Sequence, residues 1–590
     1  MLKDKILRYL NDNAGRPTRF GDLARALNIN RKQYGLLRAL LRELTTEGRI
    51  RHLKGRGYVS AGRPPRKGRA KRTVVEIPED PKAEITELVR EAGLSEEFPD
   101  AVEAEARDAV SRPVGAEVEH RLDLRDRIVF TIDPSDAKDF DDAVSLEKHD
   151  GGDWTVGVHI ADVSYYVSGD AHLDAEAWQR GTSVYLVDRV IPMLPHALSN
   201  DRCSLRPGTD RLTFSCFIRL DPEGNPLEME LADSVIRSRA RLDYEQAQRI
   251  IEAGADNEGD VPAEVCEALC EMAGVASLLA RNRGERGSID FDLPEPIVVL
   301  DDKGFPIAVR ERLRLASHRL IEEFMILANE AVAEYAGDLG LPFIYRIHEE
   351  PDPERVREFF EFARSLGYSL PRRSFTSPGV FNEFMRRIEG AKVESLISKV
   401  MLRHMKQAVY SVDNVGHFGL ASRAYCHFTS PIRRYPDLVA HRLLRLYRSE
   451  VPTGPSLEQL EEWLRNAAEQ SSECERAAME VERESIKMKQ IAYMEKHIGD
   501  VFPGIISGVT GFGLFVELED LLVDGLIHVS DLENDYYLYE ENRYRLVGER
   551  TRRQFRLGDQ IMVQVVRADR VMRELDFIPA PENGTDEGTG

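Results

Sequence analysis

TIDPSDAKDFDDAV, residues 131–144, is the stretch on which the reading of this chain turns. The residues just before it, 127–132 (RIVFTI), are a short β-branched run that predicts a buried strand. Pro134 and Ser135 break the pattern, so Asp139, Asp141 and Asp142 are expected on an ordered turn beside a strand end, with Asp133 completing the cluster. Acids packed this closely repel one another and cannot all stay ionised without compensation. A hard divalent cation supplies it, and magnesium in particular prefers a few carboxylates together with water and substrate phosphate. The competing reading is a solvated acidic loop, in a chain with 102 Asp and Glu.

Composition narrows the class but not the chemistry. The 590 residues suffice for about three to five domains at the usual ~100–200 residues each. With 42% hydrophobic and 31% charged residues the chain reads as an ordinary soluble protein. No apolar run reaches the ~18 residues of a membrane span, and the start, MLKDKILRYLNDN, lacks the continuous apolar stretch of a secretory signal. Of six cysteines only Cys266 and Cys270 are close, without a second pair or histidine cluster to complete a zinc site. Reduced thiols in a cytoplasmic protein are expected. The net charge of −22 argues against indiscriminate nucleic-acid binding yet leaves room for a local basic channel.

Residues 1–62 carry apolar residues at helical spacing: Leu2, Ile6, Leu7 and Leu10, then Phe20, Leu23 and Leu27, then Leu36, Leu37, Leu40 and Leu44. RIRHLKGRGYVSAG (49–62) follows, alternating about a glycine turn like a hairpin. This is the pattern of a winged helix-turn-helix, whose third helix and wing (Arg49, Arg51, Lys54, Arg56) are expected to contact nucleic acid. The alternative is a packing or self-association module. Residues 63–77 form a basic linker through RPPRKGRAKR, suited to phosphate contact. Residues 78–120 read as a helical lead-in.

In the central region, 121–450, Trp154, Val156, Val158 and Ile160 alternate like a strand with one buried face. A polar, proline-rich connection, RGTSVYLVDRVIPMLPHALSNDRCSLRPGTDR, carries Tyr185, and RGSIDFDLPEP carries Phe291. In HFTSPIRRYPDL, Arg433 and Arg434 stand at the entry to a helix expected near Asp437, where guanidinium groups suit a phosphate gaining charge in a transition state.

These segments, with SHRLIEEFMILAN, occur in the order of the ribonuclease II/ribonuclease R family and resemble its RNB catalytic domain over about 330 continuous residues. A helical extension (451–497) leads to residues 498–582, which resemble the OB-fold RNA-binding module known from a large ribosomal protein, with Phe512, Phe515 and His528 on one face as core or stacking platform. The fold expected is α+β and multidomain: winged helix, large mixed α/β catalytic domain, C-terminal OB barrel, and a disordered acidic tail over 583–590.

The resemblance implies a processive 3′→5′ exoribonuclease that hydrolyses single-stranded RNA to nucleoside 5′-monophosphates. It assigns Asp133, Asp139, Asp141 and Asp142 to one or two magnesium ions, manganese being a substitute, with Asp141 and Arg433 as the catalytic pair. It matches Tyr185 and Phe291 to an aromatic clamp on the 3′-terminal bases, and Tyr244 and Glu322 to positions near the 3′ sugars. Either Glu482 or Glu484 aligns with a further acidic position. A monomer binding single-stranded RNA, with no membrane, is expected. The chain departs from the family in having only about sixty residues between winged helix and catalytic domain, too few for the usual two cold-shock domains, and in lacking a lysine-rich tail. Two other readings are an RNA-binding regulator on an inactive nuclease scaffold, against which the intact acids argue, and a DNA-binding regulator using the winged helix.

Overall fold

The computed structural model describes residues 80–580 apart from 255–258, 260, 292, 369–376, 392, 450 and 533–534. Within the first sixty residues it describes 2–12, 18, 23, 26–27, 40–41, 44–45, 50–53 and 57–60. The chain divides into two units, residues 1–76 and 77–590.

In the first unit, helix Leu2–Asp12 packs Ile6, Leu7 and Leu10 against Leu23, Leu41, Leu44 and Ile50. Strands Ile50–Leu53 and Gly57–Ser60 form the expected hairpin, with Thr18 bridging to Tyr58. The full extent of the second and third helices, Arg49, Lys54, Arg56, the basic linker 63–77 and the acidic tail 583–590 lie outside the described residues.

The second unit is built on a five-stranded sheet in the order Leu122–Asp123, Pro226–Arg237, Asp210–Leu220, Trp154–Ala161, Asp142–Lys148. It is antiparallel apart from the first pair. The strand predicted over 127–132 begins later, at Thr131, although Val129 and Phe130 are fully buried. The Trp154–Ala161 strand departs from its sequence pattern more sharply, since every residue from Val156 to Ala161 is buried. Its non-apolar face is closed by a polar ladder: His159 bonds Ser145 Oγ at 2.8 Å and Ser215 Oγ at 2.7 Å, and Ser215 meets Ser234 at 2.6 Å. Burial lowers the His159 pKa to about 3, so the ring is neutral.

Helices Ala263–Arg286 and Ala316–Asp338 belong to the main core with the sheet and Tyr435–Ser449. Helices Pro353–Ser365, Pro378–Ile388 and Glu394–His404 share a second core with a closed five-stranded barrel spanning Val501 to Pro579. A 40-residue helix, Pro455–Met494, joins the two halves. Its Lys489, fully buried, donates to Pro81 O at 2.7 Å at the start of the lead-in helix Pro81–Ala92. All six cysteines are free thiols. Among the described residues no helix is long and apolar enough to cross a membrane.

A buried ionic knot ties these layers together. Asp162, completely buried, caps the short helix Val163–Tyr166 by accepting from Tyr165 N at 3.1 Å, pairs with Arg121 at 2.7 Å, and receives Arg445 from Tyr435–Ser449. Burial alone would raise its carboxyl, but Arg445 and Arg121 hold it down to about 2. Its contribution is therefore present above the ordinary carboxylate range and is lost as pH falls towards 2. Asp162→Asn leaves two cations around an uncharged amide and is expected to cost about 3–5 kcal/mol in urea unfolding at neutral pH. A loss below about 1 kcal/mol, the scale of an exposed pair, would show the knot to be incidental.

Candidate active site

Two strand ends collect the acids. Strand Thr131–Asp133 runs parallel to Arg241–Asp243, placing Asp133 opposite Asp243, and Asp142 opens the edge strand of the main sheet. The loop between them carries Asp139 and Asp141. Asp141 is 4% exposed; its Oδ1 accepts from Ile432 N at 2.8 Å, and its Oδ2 lies 3.6 Å from Arg433 Nε. Asp133 Oδ2 and Asp141 Oδ2 are buried oxygens with no hydrogen-bond partner. Burial pushes the Asp141 carboxyl well above the usual range, against the pull of Arg433 and the Ile432 N–H. Burial, then repulsion from Asp142, pushes Asp133 up; burial also raises Asp142, with Arg433 and Arg434 opposing.

The two arginines divide their duties. Arg434 turns inward to Asp437 Oδ1 at 2.7 Å, which also accepts from Ser430 N at 2.7 Å. Arg434 therefore braces the loop, and the helix begins at Tyr435, two residues earlier than the sequence suggests. Arg433, its side chain 40% exposed, is the guanidinium offered beside Asp141.

Residues 181–185 are stitched to this loop: Tyr435 N donates to Gly181 O at 3.0 Å and Ser183 N to Arg433 O at 2.9 Å. Gly181 has φ +67°, and a Cβ there would lie 2.5 Å from Cys474 Cβ on the long helix, so only glycine fits. Tyr185, 39% exposed, points its hydroxyl at Asp139 Oδ2 (3.5 Å), while its N–H donates to Glu482 Oε1 at 2.7 Å. That contact separates the two glutamates, because Glu484 instead pairs with Arg573 of the barrel at 2.9 Å.

Tyr244 opens helix Tyr244–Ala253 directly after the strand opposite Asp133. Burial, then the charges of Asp142 and Asp133, raise its hydroxyl pKa, keeping it protonated. Its ring stacks on His318, centroids 4.0 Å apart and planes 18° from parallel. Glu322 accepts from Arg314 at 2.8 Å, and Arg314 also reaches Asp290 at 2.8 Å, the residue before Phe291. Phe291 is half-buried against the second core. On the barrel, Phe512 (49% exposed) and Phe515 (37%) meet edge to face at 5.9 Å. His528, opposite Gly513 in register, is exposed on the same face.

Residues 121–450 match the RNB domain, and residues 495–577 match the S1 RNA binding domain. The chain belongs to the RNB-domain family. Ribonuclease R 1 of Lactococcus lactis is 42% identical over 503 residues, 85% of this chain but 61% of that protein, so the chain spans less than two thirds of that relative's length. Ribonuclease R of Thermotoga maritima is 42% identical over 510 residues, 86% of this chain and 71% of the relative. Among solved structures, RNase R of Mycoplasma genitalium in complex with ribose methylated single-stranded RNA aligns with a TM-score of 0.81 at 28% identity, covering 85% of this chain and 78% of that one.

In this RNB domain no three Asp, Glu, His or Cys side chains among the described residues converge as a ready-made metal cage. The two orphaned, buried oxygens of Asp133 and Asp141 nevertheless fit magnesium, which takes one or two carboxylates and completes its shell with water and phosphate. Sequence reasoning missed Arg241, which donates to Pro134 O and opposes the rise of Asp133, and His318. The signal for His318 was its i,i+4 spacing from Glu322, one helical turn on the same face.

Magnesium is expected to raise the Tm of the full chain, by on the order of 2–3 kcal/mol of stability at a hundredfold excess over Kd. Asp141→Asn is expected to raise the Tm in EDTA and to remove most of the magnesium-dependent gain. Scanning fluorimetry in EDTA and in magnesium checks both; an undiminished magnesium response in the variant places the ion elsewhere.

Proposed function

We propose that the protein is a processive, magnesium-dependent 3′→5′ exoribonuclease that hydrolyses single-stranded RNA to nucleoside 5′-monophosphates. The observation that carries this reading is a pair of orphaned carboxylate oxygens, on Asp133 and Asp141, at the junction of two strand ends, with the Arg433 guanidinium 3.6 Å from that of Asp141. The names of the relatives and the single-stranded RNA held by the M. genitalium relative support it.

Asp133, Asp139, Asp141 and Asp142 would hold one or two magnesium ions, or manganese in substitution, which supply Lewis-acid assistance to attack of water on the phosphodiester. In that reaction water adds to phosphorus, the bond to the 3′ oxygen of the penultimate nucleotide breaks, and the terminal nucleotide leaves as a 5′-monophosphate. Asp141 is oriented by the Ile432 N–H, so only its Oδ2 is turned to the reaction. Arg433 neutralises charge gathering on the non-bridging oxygens. Tyr185, anchored by Glu482, and Phe291 stack on the 3′-terminal bases, and a stacking clamp tolerates any sequence. Tyr244 donates its retained proton, and Glu322 accepts, at the ribose 2′-OH, which distinguishes RNA from DNA. The barrel face of Phe512, Phe515 and His528 holds RNA further from the chemistry.

In this reading residues 1–62 are a winged helix-turn-helix and 63–77 a basic linker. They take over the RNA entrance that cold-shock domains form elsewhere in the family, the alternative role of the winged helix being self-association. The protein acts as a monomer, and six free thiols suit a reducing cytoplasm.

A 5′-labelled RNA with a 3′ overhang on a stable duplex, followed on a gel in magnesium and in EDTA, tests the reading. Magnesium-dependent shortening from the 3′ end is expected, and no shortening in either condition favours a binding protein on an inactive scaffold. Asp141→Asn should retain RNA binding and lower turnover by roughly 10³-fold or more, as when a preorganised electrostatic group is lost; near-normal turnover would overturn its role. Tyr185→Ala should change the length of the final oligonucleotide, and unchanged products would remove Tyr185 from the clamp.

A further inference from the structure

The aromatic surface of the barrel continues past its two phenylalanines. After the turn at Val529–Asp531 the chain adds a three-stranded sheet outside the barrel: Tyr537–Glu540, Arg545–Gly548 and Gln554–Arg556. Its first strand turns Tyr537 into the second core but leaves Tyr539 37% exposed. This strand lies against the tip of the barrel hairpin, since a Cβ on Gly511 would sit 4.0 Å from Tyr539 Cβ. Gly511 is the neighbour of Phe512, whose ring meets Phe515 at 5.9 Å. Phe512 and Phe515 thus lie on a hairpin whose tip, at Gly511, abuts the appended strand that carries the exposed Tyr539.

The charge around these rings opposes that of the rest of the chain. Within a protein of net charge −22, residues 543–556 (RYRLVGERTRRQFR) hold six arginines and one glutamate. The tight turn carrying Arg550, Arg552 and Arg553 is pinned to the start of the same strand: Glu549 N donates to Tyr536 O at 2.8 Å, and Asp535 accepts from Arg550 N and Thr551 N. Arg552 is exposed, at φ +58°. Of the acids beside Tyr539, Glu540 is engaged by Arg545 at 2.7 Å, and the charge of Glu541 reaches the Tyr539 hydroxyl. At a strand's rise of ~3.3 Å per residue the turn lies about 10 Å beyond Tyr539. Aromatic rings interleaved with arginines match single-stranded nucleic acid: bases stack on any exposed ring, and guanidinium groups take the phosphates.

We propose that Tyr539 is a third stacking position for single-stranded RNA, extending the Phe512–Phe515 platform out of the barrel towards the arginine turn at 550–553. The inference rests on the RNA-binding reading of the barrel and deepens it: the ligand is a strand running across both sheets, its bases on Phe515, Phe512 and Tyr539 and its backbone leaving past Arg552.

Fluorescence anisotropy of a labelled oligoadenylate with the full chain in EDTA, where no cleavage intervenes, tests this with Tyr539→Ala, Tyr539→Phe, Phe512→Ala and Arg552→Ala. Tyr539→Ala should weaken binding by roughly 5- to 100-fold, the range of one lost base stack, whereas Tyr539→Phe keeps the ring and should bind like the unaltered protein. Arg552→Ala, at an exposed side chain, should lower the slope of log affinity against log salt by about 0.7, one phosphate contact to a single strand. Weaker binding by Phe512→Ala with Tyr539→Ala and Arg552→Ala unchanged overturns the extension and leaves the platform standing. If Phe512→Ala also binds normally, the RNA-binding reading of this face falls with it, and the surface belongs to a protein partner. Should Tyr539→Ala lower the Tm, the Arg552→Ala slope decides alone.

Discussion

Negative charge held out of water is the constraint around which this protein is arranged. Moving a carboxylate from water into a protein interior costs several kcal/mol, and here three acids share one strand junction with Asp141 almost wholly enclosed. At Asp141 the surroundings offset this only in part, through one backbone N–H from Ile432 and one guanidinium, that of Arg433, at 3.6 Å. The remaining deficit is visible as raised carboxyl pKa values and as two oxygens without partners. A cation held there would relieve that deficit.

The rest of the fold makes that expensive junction possible. Asp162 is the contrasting case: equally buried, but met by two guanidiniums, so its charge is retained and serves as a structural pin. Arg434 and Asp437 form a second ion pair beside the site, at 2.7 Å. Asp162 is met by two cations, whereas Asp141 is met by one guanidinium at longer range.

Much of this was legible in the chain. Four aspartates within ten residues, next to a β-branched run and a break, mark an acid cluster at a strand end, and the TSPIRR segment marks the arginine beside it. The serine–histidine ladder was not legible: the alternation of Trp154, Val156, Val158 and Ile160 suggests only one buried face, and His159 finds its partners across strands, in Ser145 and in Ser215, the latter 56 positions away. Nor could spacing choose between Glu482 and Glu484, two residues apart on a helix whose opposite sides meet different elements. The stack of Tyr244 on His318 joins residues 74 positions apart, beyond the reach of any local pattern.

The long helix Pro455–Met494 touches both ends of the path an RNA strand would follow. Through Glu482 and Ser485 it fastens the loop of Tyr185 and Val187; through Glu484 and Gln490 it fastens the barrel at Arg573 and Leu522. At 1.5 Å per residue it is a rod of about 60 Å, without an internal proline or glycine. A rod has no joint. In the proposed reading, slack between barrel and clamp after each nucleotide departs would have to be taken up by the RNA itself, and the spacing of the two grips would act as a fixed gauge against which the polymer is drawn.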